Sequence, residues 1–491
     1  MKKKSLIGID IGTTNIKIVS FDLNGKIIHS EKKKTPLLEF KHQDEKCEFK
    51  AEKIWGLTVS LLKKVIINTK KSHKITAISC ASFAESGIPI DKNGKVIANS
   101  LIWYDKRTKT EEIFLKKKFK NYPLSKVSGM RLDYIAGLCK ILWFKNNQPL
   151  KYKKMHKWLN VADYIYFKLS GKIATDLSLA GRTLILDIKK KSWNKAILNK
   201  LQINPNILPP IVENGKNLGP ILEKVKKLIK LENDCSIAVG GHDHVMGAIS
   251  SGIFNNNFIQ DSMGTSESII FNTPSIITNN KLIEFGYEQC LININKPLYY
   301  LQAGLNTSSK AIELFLKKFN FKFNNNIKKL LIKKYKSNSN YKIFFPPDLL
   351  NEKLKNNITF NNSNNKVDKI SLLLALMEGI VFEVKKIVLN LISLSPKKNR
   401  KIICTGGGTN NDILMKIKSN VFGKKIYVIK NYESVCLGVA ILAGISIGEH
   451  KNLNDAFRKI NNQIKIYSPL KDKIYFYNKK YLSYLRHKTK I

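Results

Sequence analysis

The sequence predicts an α/β chain of two related domains, and three observations carry that prediction. The chain has 491 residues, too many for one ordinary hydrophobic core, so two domains of roughly 200–250 residues are the natural division. A strand, a tight turn of small residues and a second strand occur twice, as DIGTT within residues 6–21 and as SMGTS within residues 258–271. Apolar strands that run into glycines and then into a helix recur at residues 236–253 and 401–415. Repetition in two halves suggests a duplicated architecture. The expected division is a first domain over 1–250, a second over 251–450, and a tail over 451–491 packed on the second.

Composition narrows the class. Apolar residues make up 43% and charged residues 25%, ordinary globular values. The excess of 85 basic over 37 acidic residues gives +48, which invites a polyanion partner. The lysines are scattered in pairs and triplets along the whole chain, with no concentrated arm and no aromatic-interleaved motif, so nucleic acid is not the expected partner. Seven cysteines, widely spaced and without a C-x-x-C pair, fit a reducing, cytoplasmic setting. The N-terminal apolar run is cut by Asp10 and does not read as a signal peptide. The most apolar long segment, residues 372–384, carries Glu378 and Gly379, which suits a buried helix and not a membrane crossing.

In chain order, Ile7 and Ile9 alternate with Gly8 and Asp10, Gly12 to Thr14 turn the backbone, and Asn24-Gly25 marks a second hairpin. Gly12 permits close approach of an anion, Thr13 and Thr14 offer amides and hydroxyls, Lys17 adds positive charge, and Asp10 can hold Mg²⁺. A Gly-Thr hairpin turn also needs no ligand. No P-loop string occurs. Residues 75–90 read as a buried strand followed by Glu85, whose plain reading is a loop charge. Residues 101–108, LIWYDKRT, put Trp103, Asp105 and Arg107 together, a set that suits a polyol and equally a structural ion pair with an aromatic neighbour.

A helix ends near Ser170-Gly171, followed by a loop with Thr175, Asp176 and Ser178. Residues 236–253 set His242, Asp243 and His244 at a strand end. His-x-His lacks the third ligand and the spacing of a specific zinc motif, whereas Asp243 at a helix start can accept a proton from an attacking hydroxyl. Gly264 and Thr265 form the second phosphate turn. Asn- and Lys-rich residues 320–341 and 356–366 read as surface loops, and residues 370–388 as a buried helix. Gly406, Gly407 and Gly408 end a strand and would let a flat base approach the backbone, with Asn411 beside them. Gly438, Ala440 and Ala443 allow close helix packing in residues 433–444.

On these motifs, from about residue 5 to about residue 450, the chain resembles the FGGY family of carbohydrate kinases, within the actin-like and sugar-kinase ATPases. The resemblance implies two actin-like (ribonuclease H-like) α/β domains with an interdomain active-site cleft, and ATP and Mg²⁺ as cofactors. It implies Asp243 as general base, Glu85, Trp103 and Asp105 as substrate-facing, and Asn411 against the adenine; His242 and His244 depart from the glycerol kinase and xylulokinase versions and are expected to help read the substrate. Asp176 and its loop, with Asp187 and Trp193, match as scaffold. A xylulokinase-like, erythritol kinase-like or glycerol kinase-like sub-type all fit. The usual G-E-R-x-P string is replaced by NEKLKNN from residue 351. The expected partners are a small sugar or polyol and ATP, with no membrane and with homodimerisation left open. The rival readings are an actin-like ATPase switch, a charge-driven nucleic-acid binder, and a kinase homologue that has lost activity.

Overall fold

A computed structural model describes residues 2–40, 45–254, 258–293, 295–305, 307–337, 344–347, 368–396, 399–430, 433–460 and 463–488. The altered string at 351–355 and the stretch 356–366 lie outside the described residues. The chain forms two compact units. Met1–Asn256, Asn272–Leu301 and Glu433–Asn461 make the first, and Asn257–Phe271, Gln302–Tyr432 and Asn462–Ile491 the second. The sequence suggests a single crossing near residue 250; the observed grouping returns two later segments to the first unit.

The first unit is built on a six-stranded sheet in the order Asn217–Pro220, Ser236–His242, His73–Ser82, Lys3–Ile11, Asn15–Asp22, Ile27–Lys34. Both tandem hairpins expected from the sequence form, as the last three strands pair antiparallel. Asp22 closes the second turn by accepting the Asn24 and Lys26 amides at 2.9 Å, with Gly25 at φ +79°. Lys3–Ile11, His73–Ser82 and Ser236–His242 run parallel, in a register that sets Asp10 beside Ala81 and Ser82 beside His242. The carboxyl ends of three parallel strands therefore meet at one edge, where open α/β sheets gather their ligands.

Two helices fix that edge. Ala51–Thr69 buries Ile54, Leu61, Leu62, Val65 and Ile66 along one stripe, a gross contribution on the order of 10 kcal/mol. Ser434–Ser446 lies so close to the sheet that a Cβ on Gly8 would fall 1.9 Å from the Cys436 carbonyl oxygen. A Cβ on Gly438 would fall 1.8 Å from the Met246 carbonyl oxygen, on helix Asp243–Ser250. This is what the small residues of 433–444 allow. Val161–Ser170 ends on Gly171 at φ +73°, as the Ser-Gly pair predicts.

The second unit repeats the motif of the first. Phe258–Met263 and Glu267–Thr273 form an antiparallel hairpin, with Lys401–Thr405 parallel to Phe258–Met263, and Ile426–Ile429 parallel to Lys401–Thr405. Helix Lys369–Ser393 is capped by Asp368, which accepts the Ile370 and Ser371 amides at 3.1 and 3.0 Å. Its Gly379 permits contact with the Phe345 carbonyl, which a Cβ would approach to 2.2 Å. One expectation is corrected: within 320–341, Asn325–Ser337 is a helix and not a loop. Leu331 and Tyr335, one turn apart, are its buried contacts, and the surrounding Lys and Asn residues dilute that period in the sequence. Among the described residues no helix is long and apolar enough to cross a membrane. The seven cysteines are buried, and none is in a disulfide.

Candidate active site

The strand-end edge of the first unit holds two carboxylates in opposite states. Asp10 is 8% exposed, and its Oδ1 is buried without a hydrogen-bond partner. Burial, and next the Asp243 carboxylate, push Asp10 up to about 8 against the pull of Lys17. Asp243 opens its helix, and its Oδ1 accepts the His244 amide at 2.6 Å and lies 3.1 Å from His242 Nε2. Burial raises Asp243 too, but the His244 charge and the His242 hydrogen bond outweigh it and hold the group below its ordinary value. With no cation bound, Asp10 is protonated at neutral pH while Asp243 is ionised. Neighbouring carboxyls driven apart in this way commonly take different catalytic roles.

The two histidines frame Asp243. Their rings meet edge to face at 5.4 Å. His242 donates from Nε2 to Asp243, which leaves its buried Nδ1 as an acceptor without a protein partner. Burial holds His244 below its ordinary value although Asp243 opposes this. One donor atom from each of the three residues lies within 4.8 Å of the others, close enough to hold a metal ion. Hydrogen bonding inside the set already uses Asp243 Oδ1 and His242 Nε2, so a hydrogen-bonded carboxylate describes it better.

The loop around Asp176 locks this strand end, in keeping with the scaffold role the family resemblance implies. Asp176 accepts the Ser178 amide at 2.6 Å, the Ser178 hydroxyl at 2.5 Å and the Asn214 side chain at 2.9 Å. Ser178 Oγ in turn accepts the His242 amide at 2.9 Å, and Asn214 donates to the Gly240 carbonyl at 2.6 Å.

At the first Gly-Thr turn the Gly12 amide donates to the Asn15 carbonyl at 3.0 Å, and the Thr35 hydroxyl donates to the Gly12 carbonyl at 2.6 Å. Thr13 is half-buried and Thr14 exposed. Trp103 Nε1 donates to Thr13 Oγ1 at 3.1 Å, which ties the aromatic segment to the turn. Lys17 stands opposite Asp10 in the hairpin, but its ammonium lies 3.0 Å from Glu433. Burial lowers the Lys17 pKa, and Glu433 and then Asp10 raise it beyond that loss.

Asp105 departs from its expected role. It is fully buried, accepts the Cys47 amide at 3.0 Å, and binds Arg107 through both oxygens at 3.0 and 2.7 Å. Of the two readings of this segment, the structural ion pair describes it: Asp105 positions the Trp103 turn and has no oxygen left for a ligand. Glu85 is 7% exposed, at φ +61°, and accepts Arg182 Nε at 2.5 Å. Arg182 also pairs with Glu288. Sequence reasoning missed Arg182 and Glu288, which are joined to their partners across 97 and 106 residues.

In the second unit the Gly264 amide donates to the Ser266 carbonyl at 2.9 Å, and the Thr265 carbonyl accepts the Ser308 and Lys310 amides at 3.2 Å. Beneath this turn lies a triad that also escaped notice. Lys418, fully buried, reaches Glu267 at 2.6 Å and pairs with Asp261. Burial and the Glu267 charge push Asp261 up to about 7, against Lys418. The available signal was a lysine on the apolar face of Asp412–Phe422, between Ile417 and Val421.

The three glycines divide their work. A Cβ on Gly406, at φ +89°, would fall 2.6 Å from the Met263 carbonyl oxygen, and one on Gly408 2.9 Å from Met263 Cβ. Gly407 has open space beside it and lines a cavity of about 450 Å³ with Gly408, Asn411, Ile312, Leu316 and Phe323. That volume and apolar lining suit a nucleoside. Asn411 caps the next helix by accepting the Leu414 amide at 3.2 Å. The donor sets fit the expected cofactors: the orphaned Asp10 oxygen, beside a second carboxylate, suits a divalent cation, and the cavity at Gly407 suits ATP.

Residues 5–250 match the N-terminal domain of the FGGY family of carbohydrate kinases, and residues 261–447 its C-terminal domain. The chain is 26% identical over 478 residues to the xylulose kinase of Bacillus subtilis strain 168, covering 95% of this chain and 93% of that protein. A gluconate kinase and a ligand-bound xylulose kinase, both from Lactobacillus acidophilus, share its fold at a TM-score of 0.87. Each is 25% identical, over 99% of this chain and 98% of theirs. With both domain matches together spanning most of its length, the chain belongs to the FGGY family of carbohydrate kinases.

Proposed function

We propose that this kinase transfers the γ-phosphoryl group of ATP to a hydroxyl of a small sugar or polyol, such as a ketopentose or tetritol, with Asp243 as general base. The observation that carries the reading is the divided carboxylate pair. Asp243 is ionised and held by the His242 ring and the His244 amide, both on Oδ1, so the other oxygen can accept a proton as the acceptor oxygen attacks phosphorus. His242 Nδ1, buried without a protein partner, would hydrogen-bond a second substrate hydroxyl. Asp10 would hold Mg²⁺, which supplies charge neutralisation on the phosphates. The amides of Gly12 to Thr14 and of Gly264 and Thr265 would cradle the phosphates, with Lys17 sharing its charge between them and Glu433. Gly406 to Gly408 and Asn411 would take the adenosine. Because these residues come from both units, the reading requires them to serve one nucleotide.

The test is ADP release from Mg-ATP by the purified protein across glycerol, erythritol, pentuloses, hexuloses and gluconate, with a no-acceptor control. Strong stimulation by one neutral acceptor is expected. Steady acceptor-independent hydrolysis would favour a switch ATPase instead.

A further inference from the structure

Arg182 sits among the acceptor-site groups of the first unit, yet its charge is already spent. Arg182 is 8% exposed, and its guanidinium is shared between Glu85, at 2.5 Å from Nε, and Glu288. The cluster adjoins the base. The 3₁₀ turn Gly181–Thr183 that carries Arg182 follows Ser178, whose hydroxyl holds the His242 amide, and His244 feels the charges of both Glu85 and Arg182. Glu85 is held at φ +61°, a conformation that a non-glycine residue adopts only under strain and that concentrates at functional sites.

Charge accounting then gives a direction. Two carboxylates and one guanidinium leave the Glu85–Arg182–Glu288 network with one net negative charge, and ionised Asp243 adds another; the buried Lys140, whose charge also reaches Glu85, points its ammonium at the Tyr134 and Ile135 carbonyls. Lys17 is paired with Glu433 and supplies no spare positive charge. An acceptor bearing a carboxylate would meet like charge, with no fork-shaped donor free to receive it. A neutral polyol would find carboxylate acceptors for its hydroxyls and Arg182 N–H groups between them.

We propose, on the kinase reading given above, that Arg182 and Glu288 determine specificity: their network selects neutral polyhydroxy acceptors and rejects sugar acids. Glu288 is the controlling member, since removing its charge leaves the network without net charge.

The experiment compares D-xylulose, glycerol and gluconate with wild type and Glu288→Gln, by turnover with Mg-ATP and, separately, by calorimetric titration of each acceptor in the presence of a non-hydrolysable ATP analogue. For wild type, a neutral acceptor is expected to bind and turn over at least about tenfold better than gluconate. In Glu288→Gln the ratio should shift toward gluconate by about tenfold. Equal or tighter wild-type binding of gluconate, no binding of any of the three, or an unchanged ratio in the variant overturns the proposal. Selective binding of a neutral acceptor without turnover would defeat the kinase reading while the selectivity stands.

Discussion

Lys17 and Glu433 form an ion pair at 3.0 Å, although Lys17 faces Asp10 across the first hairpin. The lysine that follows the Gly12–Thr14 turn is thus held by the start of helix Ser434–Ser446. On the proposed reading, its charge on a phosphate would be set by competition between Glu433, Asp10 and the ligand.

Replacing Glu433 by Gln removes the strongest competitor. The KM for ATP is expected to fall about fivefold, the worth of roughly 1 kcal/mol for a partly exposed pair, with kcat changed less than about twofold. Steady-state kinetics with ATP varied at a saturating acceptor checks this; an unchanged or higher KM removes Lys17 from the phosphate site.

Asp243→Asn keeps the shape of the base and removes its proton affinity. Turnover is expected to fall by about 10²–10⁴-fold, while ATP affinity, read by nucleotide titration, stays within about twofold. Retained turnover would remove Asp243 from the base role.

Asp10 makes stability depend on pH in a known direction. Its pKa is raised to about 8 in the folded chain and returns to about 4 on unfolding, so between those values the folded state binds the extra proton. Stability is therefore lost as pH rises from about 4 to about 8. Asp163 and Asp261, each raised to about 7, act in the same sense. The difference between wild type and Asp10→Asn isolates the Asp10 part: the Tm of the metal-free variant should fall less steeply over this window. Parallel Tm curves would mean that Asp10 is ionised without a cation.

The glycines at 406–408 should separate folding from nucleotide binding. Gly407→Ala meets open space and is expected to leave stability within about 0.5 kcal/mol while weakening ATP binding. Gly408→Ala meets Met263 and should cost about 1–3 kcal/mol. Thermal unfolding with nucleotide titration of both variants checks the pair, and equal effects on the two readouts would contradict the division.

Lys418→Met leaves Asp261 and Glu267 buried without their cation. A loss of about 3–5 kcal/mol is expected, partly restored when Asp261→Asn and Glu267→Gln are added. Denaturant midpoints of the single and triple variants decide the matter.

What the sequence revealed depended on range. The hairpin at Asp10, the strand end at Asp243 and the glycines at 406–408 are local patterns, each legible within about fifteen residues. Arg182 and Glu288 act through partners that only the fold brings near, and each alone reads as an ordinary surface charge; Lys418 shows its burial only by its place on the apolar face of its helix. Asp105 was visible but ambiguous, because a buried carboxylate committed to Arg107 and one committed to a ligand look alike in sequence. Lys and Asn enrichment also hid the helix at Asn325–Ser337, since its buried face rests on few apolar residues.

The fit of Gly8 against Cys436 has a consequence for synthesis. Gly8 is made long before its helix partner Cys436, so the central strand stays uncovered while the chain between them is translated. Its neighbours Ile7 and Ile9, wholly shielded in the finished protein, belong to a surface that must wait. Contacts between such distant positions slow folding and expose sticky intermediates. A chain stopped before Ser434 would therefore keep the Asp10 and Asp243 segments yet be prone to clump, and a helper that shields nascent apolar surface would matter more for its yield than for its chemistry.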